Sequence, residues 1–186
     1  MPEVVRDVEE FVSSAGWDQA PQLFALVPTS ELLAAEPAMT DRLDVSAPLT
    51  PVAQEPLPDG ELDVALAGIT WPPAVAGCAA ALPIVVLPPD AESELAARTE
   101  QAADGQSEMI KRLAAEHPRR REAWLVAAVL RDGSGACVLR LRGDRGDNEV
   151  GNGVGNGVGN GTADELVEHP DLAPNLLDAL RATFEE

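Results

Sequence analysis

Residues 121–142, REAWLVAAVLRDGSGACVLRLR, constrain the fold more than any other stretch of the chain. Two apolar runs flank Asp132-Gly133, a dipeptide whose glycine accepts positive φ, so the segment predicts an antiparallel hairpin. Alternation along its second strand sets Cys137, Leu139 and Leu141 on one side and Arg140 and Arg142 on the other. One side is therefore core, and the other faces solvent or a partner.

Helical and extended patterns surround this hairpin. Residues 3–15 place Val4, Val5, Val8, Phe11, Val12 and Ala15 on one stripe, with Arg6, Asp7, Glu9 and Glu10 opposite, and Gly16 can end the helix. QLFALVP reads as a buried strand. Thr29 or Ser30 can then cap a short helix, ELLAAE, that Pro37 closes. Residues 49–57 read as an extended edge segment because Pro51 and Pro56 cannot donate to a ladder. Asp59 is positioned to cap a helix carrying Leu62, Ala65, Leu66 and Ile69, which Pro72 and Pro73 stop after Trp71. A strand region at 75–87 follows, then a modest helix with Met109, Ile110 and Leu113. At the C-terminus Leu172, Leu176, Leu177, Leu180 and Phe184 recur at helical spacing, with Pro174 in the first turn.

These elements predict one α+β domain over residues 1–186, a mainly antiparallel sheet with helices at the N- and C-termini packed on one face. Residues 90–106, acidic and alanine-rich, are expected to form a mobile connection, and residues 143–163 an inserted Gly/Asn-rich loop. In that loop the unit Gly-Asn-Gly-Val is written twice and begun a third time, with glycines at 151, 153, 155, 157, 159 and 161. A dinucleotide fingerprint steps by two and then by three, so glycines confined to odd positions cannot supply one. A Walker loop is excluded because no Lys-Ser or Lys-Thr follows. A calcium-binding nonapeptide needs adjacent glycines, which are missing. Composition leaves a solvated tether, and the neighbouring tandem RGDRGD reads as part of the same insertion.

Charge narrows the partners. Acidic residues outnumber basic ones 32 to 13, for a net charge of −19, which disfavours nucleic acid and anionic membrane. Nine of the 13 basic residues fall within 106–150, densest at HPRRRE, His117 to Glu122. Those arginines are expected chiefly to neutralise the chain's own acidic surface. The N-terminal stretch is acidic and lacks the apolar region of a secretory signal, and the longest apolar run is broken by Gly77 and Pro83. Cys78 and Cys137 are read as two buried free thiols in a reducing cytoplasm. With two cysteines and two histidines, no zinc spacing arises, and neither a metal nor another cofactor is expected.

No catalytic constellation emerges. Ser134 lies in a turn, and His117 and His169 each precede proline where a helix exit is the simpler reading. The aromatics are few, three Trp and three Phe with no Tyr, so each tryptophan serves packing or contact. Trp17 and Trp71 stand at helix ends, and Trp124 follows Arg119, Arg120 and Arg121. Together with Arg140 and Arg142 these residues form the candidate interaction surface.

The blocks GWDQAPQLFALVPTSELL, ITWPPAVAGCA, EHPRRREAWLVAAVLRDG and NLLDALRATFEE resemble those of an uncharacterised family of acidic actinobacterial proteins. That resemblance covers most of the chain outside 90–106 and 143–163, and it implies an intracellular setting with no catalytic residue to carry over. The function expected is a cytoplasmic, non-enzymatic protein-interaction module, adaptor or chaperone-like, that binds a protein partner or forms a homodimer. The alternative is a small-molecule-binding domain or enzyme using Asp18, His117, Arg120 and Arg121. Convergence of His117 and Arg121 with an acid in a concave site would mark it.

Overall fold

The computed structural model describes residues 2–55, 62–91, 93, 112–143, 163–170 and 172–184. Its elements are α1 (Pro2–Ser14), β1 (Gln22–Pro28), α2 (Thr29–Ala35), β2 (Leu49–Ala53), α3 (Leu62–Ala67), β3 (Gly77–Val86), β4 (Arg121–Leu130), β5 (Gly135–Leu141), β6 (Glu165–Glu168) and α4 (Pro174–Ala182). A 3-10 turn, Pro37–Met39, follows α2. The strands make one antiparallel sheet in the order β2-β1-β3-β4-β5-β6, which establishes the α+β class. The inserted loop at 143–163 and the connection at 90–106 fall almost wholly outside the described residues, as do Pro56, Asp59, Met109 and Ile110.

Contacts divide the chain into two compact units. The first comprises Met1–Pro83, Trp124–Leu139 and Glu168–Glu186, and the second Ile84–Ala123 and Arg140–Val167.

In the first unit the sheet has two covered faces, and strand alternation decides which residue meets which layer. β1 pairs with β3 so that Phe24 lies opposite Ala79 and Ala25 opposite Cys78. Phe24, Leu26, Ala79, Ala81, Trp124, Val126, Ala128 and Val138 join Val4, Val5, Val8 and Val12 of α1 in one buried cluster. Cys78 points the other way, with its Sγ 3.9 Å from the Leu180 carbonyl oxygen and 3.8 Å from the Thr183 Oγ1. Helix α4 thus covers the face that α1 does not. The terminal helices do not share one face as the sequence pattern suggested, because β4 is buried without interruption from Ala123 to Val129 and such a strand needs cover on both sides.

The α4 face closes tightly. Trp71 is 9% exposed and its indole N–H donates to Thr183 Oγ1 at 2.9 Å, while its ring stacks on Phe184 with centroids 6.2 Å apart. Arg131 fastens the Trp71–Pro72 turn from above: its Nε donates to the Val75 oxygen at 2.7 Å, and its Nη2 to the Trp71 and Pro72 oxygens at 3.0 and 2.9 Å. The guanidinium also lies 4.8 Å from the Phe184 ring centre, a cation–π contact. Gly77 is required where β3 approaches β4, since a Cβ there would stand 2.4 Å from the Val129 oxygen.

Local chemistry mostly follows the sequence. Gly16 takes φ +97° just past α1, and Gln19 Nε2 donates to the Val12 and Gly16 oxygens at 2.9 and 2.6 Å, satisfying carbonyls the helix end exposes. Gly133 takes φ +85° in the β4–β5 turn, where Asp132 Oδ1 accepts from the Ser134 N–H and hydroxyl at 2.8 and 2.6 Å. The Ser134 hydroxyl is thereby committed to the turn. Thr29 does not cap α2: it is buried, and its Oγ1 lies 2.9 Å from Thr50 Oγ1. Helix α3 stops at Ala67, short of Trp71, which leaves the WPP segment free to fold under Arg131.

Candidate functional site

The tryptophans nominated from the sequence do not form a surface. Trp124 is 1% exposed within the α1 cluster, and its Nε1 has no hydrogen-bond partner among the described residues. A buried indole without an acceptor costs roughly 1–3 kcal/mol relative to a satisfied one, so Trp124 serves by filling volume. Trp71 lies under α4, and Trp17 is half-buried against the α1 cluster. Their places at element ends misled because both ends turn inward.

The arginines lie in the second unit and face its own acids. Arg119 Nη1 reaches Asp90 Oδ2 at 2.7 Å, and that bond holds the Asp90 carboxyl below its ordinary value. Arg121 stands 3.6 Å from Glu165 and donates to the Arg142 carbonyl oxygen at 3.1 Å. Arg140 stands 3.8 Å from Asp164, and Arg142 pairs with Glu122. Arg140 and Arg142, expected on an open side, are only partly exposed. Arg120 remains exposed. His117 Nδ1 accepts from the Arg119 backbone N–H at 3.1 Å, and Asp18 belongs to the first unit. Among the described residues no hydrogen bond or ion pair joins His117 to Arg121.

A different site opens in the first unit, beside α1. Val8 and Phe11 of α1, Phe24 of β1, Leu32 of α2, Met39, Leu43 and residues 50–53 of β2 enclose a cleft of about 450 Å³. Phe11 is 56% exposed on its wall and meets Phe24 edge-on, with ring centres 5.9 Å apart. The sequence pattern placed Phe11 on the core stripe. At about 100° per residue it falls at the margin of the arc defined by Val4, Val5, Val8 and Val12, so it borders the core instead of entering it.

One end of the cleft is acidic. Asp7 lines both it and a second cavity of about 320 Å³ bounded by Glu3, Asp44, Ser46 and Leu49. Burial lifts the Asp7 carboxyl above its ordinary 3.8, and Glu10, Glu3 and Asp44 add repulsion in the same direction. Asp44 is shifted downward because the Ser46 hydroxyl and backbone N–H donate to it at 2.6 and 2.9 Å. Arg6, the basic residue of α1, is engaged by Glu168. The arrangement offers apolar walls with carboxylates at one end, which suits binding by burial and charge.

No described helix is long and apolar enough to cross a membrane. No curated protein and no solved structure matches the sequence. A family model described as PPA1309-like protein matches residues 1–185. Since that match takes in the α1 cleft, the α4 face and every described strand, the chain belongs to the PPA1309-like protein family.

Proposed function

We propose that this chain is a non-enzymatic protein-interaction module, adaptor or chaperone-like, working in an actinobacterial cytoplasm and docking its partner in the cleft between α1 and β2. One observation carries the reading: a large aromatic side chain, Phe11, stands 56% exposed on the wall of an apolar cleft. Grooved apolar surface with an aromatic anchor is the usual form of a protein contact. The basic segment is the less favoured face because Arg119, Arg121, Arg140 and Arg142 each have an acid within the chain.

The cleft's 450 Å³ also falls within the range of small-ligand pockets. That observation supports a second reading, a small-molecule-binding domain using the α1 cleft. Affinity capture from the native cytoplasm separates the possibilities. Phe11→Glu is expected to lose a protein that wild type and an Arg119/Arg120/Arg121→Ala triple variant both retain. A protein retained by Phe11→Glu and lost by the triple variant moves the docking face to the basic segment. Absence of any captured protein, together with a native-mass complex between wild type and a small metabolite that Phe11→Glu loses, favours the second reading.

A further inference from the structure

Resting on the docking role proposed for the α1 cleft, we infer that its occupant is a basic amphipathic helix of another protein, apolar toward Phe11 and carrying a Lys or Arg that meets Asp7 and Asp44. Three features support this occupant. The walls are aliphatic and aromatic, with Val8 and Phe11 from α1, Phe24 from β1, Leu32 from α2 and Leu43 from the segment before β2, a lining that receives side-chain anchors spaced along one helical face.

The second feature is the sheet edge. β2 is the outermost strand, and Pro51 sits in its middle, opposite Leu26. Proline has no N–H to offer a strand laid alongside. Docking by side chains into the cleft avoids that loss, whereas docking by strand addition incurs it.

The third feature is charge. Glu3, Asp7 and Asp44 line the second cavity, and Asp7 faces the cleft as well. Carboxylates crowded in this way repel one another, and the Asp7 carboxyl is lifted first by burial and further by Glu10, Glu3 and Asp44. The cation on the same helix, Arg6, is occupied by Glu168. A positive side chain from outside relieves the repulsion, and a chain of net charge −19 steers such a partner toward it. A second copy of this chain would bring the same acids and the same −19 to the contact, so self-association through this face is disfavoured.

Fluorescence anisotropy with the full chain tests the inference. The probes are labelled synthetic helices of about 18 residues, each with leucine at helical period and with Lys, Gln or Glu at the polar positions. The Lys probe should bind and the Glu probe should not. An Asp7→Asn/Asp44→Asn double variant should weaken the Lys probe about tenfold while leaving the Gln probe unchanged. Circular dichroism of the variant establishes that it is folded. Equal binding of the Lys probe to wild type and the double variant overturns the inference, since general attraction to an acidic chain would then account for it. The docking role is judged apart, by Phe11→Glu: loss of the Gln probe sustains it even where the charge contact fails. If no probe distinguishes wild type from Phe11→Glu, both fall.

Discussion

The two faces of the sheet in the first unit are covered by helices of similar amphipathic character, yet one is sealed and the other is not. Beneath α4, Trp71 is fixed by a hydrogen bond to Thr183, a stack on Phe184 and the carbonyl clamp of Arg131. Beside α1, the valines are buried while Phe11 stays open at the rim of a cleft. Apolar content does not explain the contrast, since both helices bury aliphatic residues. What differs is polar fastening: directional bonds hold a large aromatic under α4, whereas Phe11 has an edge contact with Phe24 and a cleft beside it. Packing alone is enough to bury Trp124 and the valines on the α1 side, so Phe11 stands apart as a large aromatic left open at the surface and available for binding.

Breaking the sealed side gives the largest expected effect. Trp71→Ala removes a buried ring and leaves the Thr183 hydroxyl without its donor, so it should cost about 3–5 kcal/mol in urea unfolding. A loss under 1 kcal/mol would erase the distinction between the faces. The same substitution on the open side is the sharper half of the test. Phe11→Ala should cost only about 0.5–1 kcal/mol, because over half of the ring already faces solvent. A loss as large as that of Trp71→Ala would make Phe11 a core residue after all.

The smallest effect concerns the acidic end of the cleft. Burial and neighbouring acids raise the folded-state value of Asp7 above 3.8. Its contribution to stability is therefore fully present below 3.8 and is lost as pH rises through the raised value. Asp7→Asn keeps that contribution. The variant should match wild type in acid and exceed it slightly toward neutral pH, by thermal melting at several pH values. A variant less stable than wild type at pH 7 would mean that Asp7 is favourably paired.

Local signals in the chain foretold much of this architecture. Val4, Val5, Val8 and Val12 repeat at helical spacing and are buried, and Pro51 marked β2 as an edge. Asp132-Gly133 placed the hairpin turn, and the Asp132–Ser134 bonds show why that turn holds. The placement of α4 was less accessible because it depends on which face of β3 its residues meet, a property of the assembled sheet. Even so, the unbroken apolar run AWLVAAV was a usable signal, since a strand covered on one side alternates. β6 was missed: Glu165–Glu168 is four residues long with acids at both ends, too short and polar for a strand pattern. The cleft was out of reach for a further reason. Leu32, Leu43 and Phe11 are far apart in the chain, and a cleft forms where their side chains fail to fill space, which no local pattern encodes. Only the marginal position of Phe11 on its helix hinted at it.

The bond between Trp71 and Thr183 joins residues 112 positions apart. During synthesis at about 5–20 residues per second, roughly 6–22 seconds separate the addition of one from that of the other. For that interval the Cys78 side of β3 on the nascent polypeptide lacks its final cover and is exposed to other chains emerging nearby. Slowing elongation over the region encoding β4 to α4 would prolong that exposure, so yield of the assembled protein should respond to translation speed there more than in the region encoding α1.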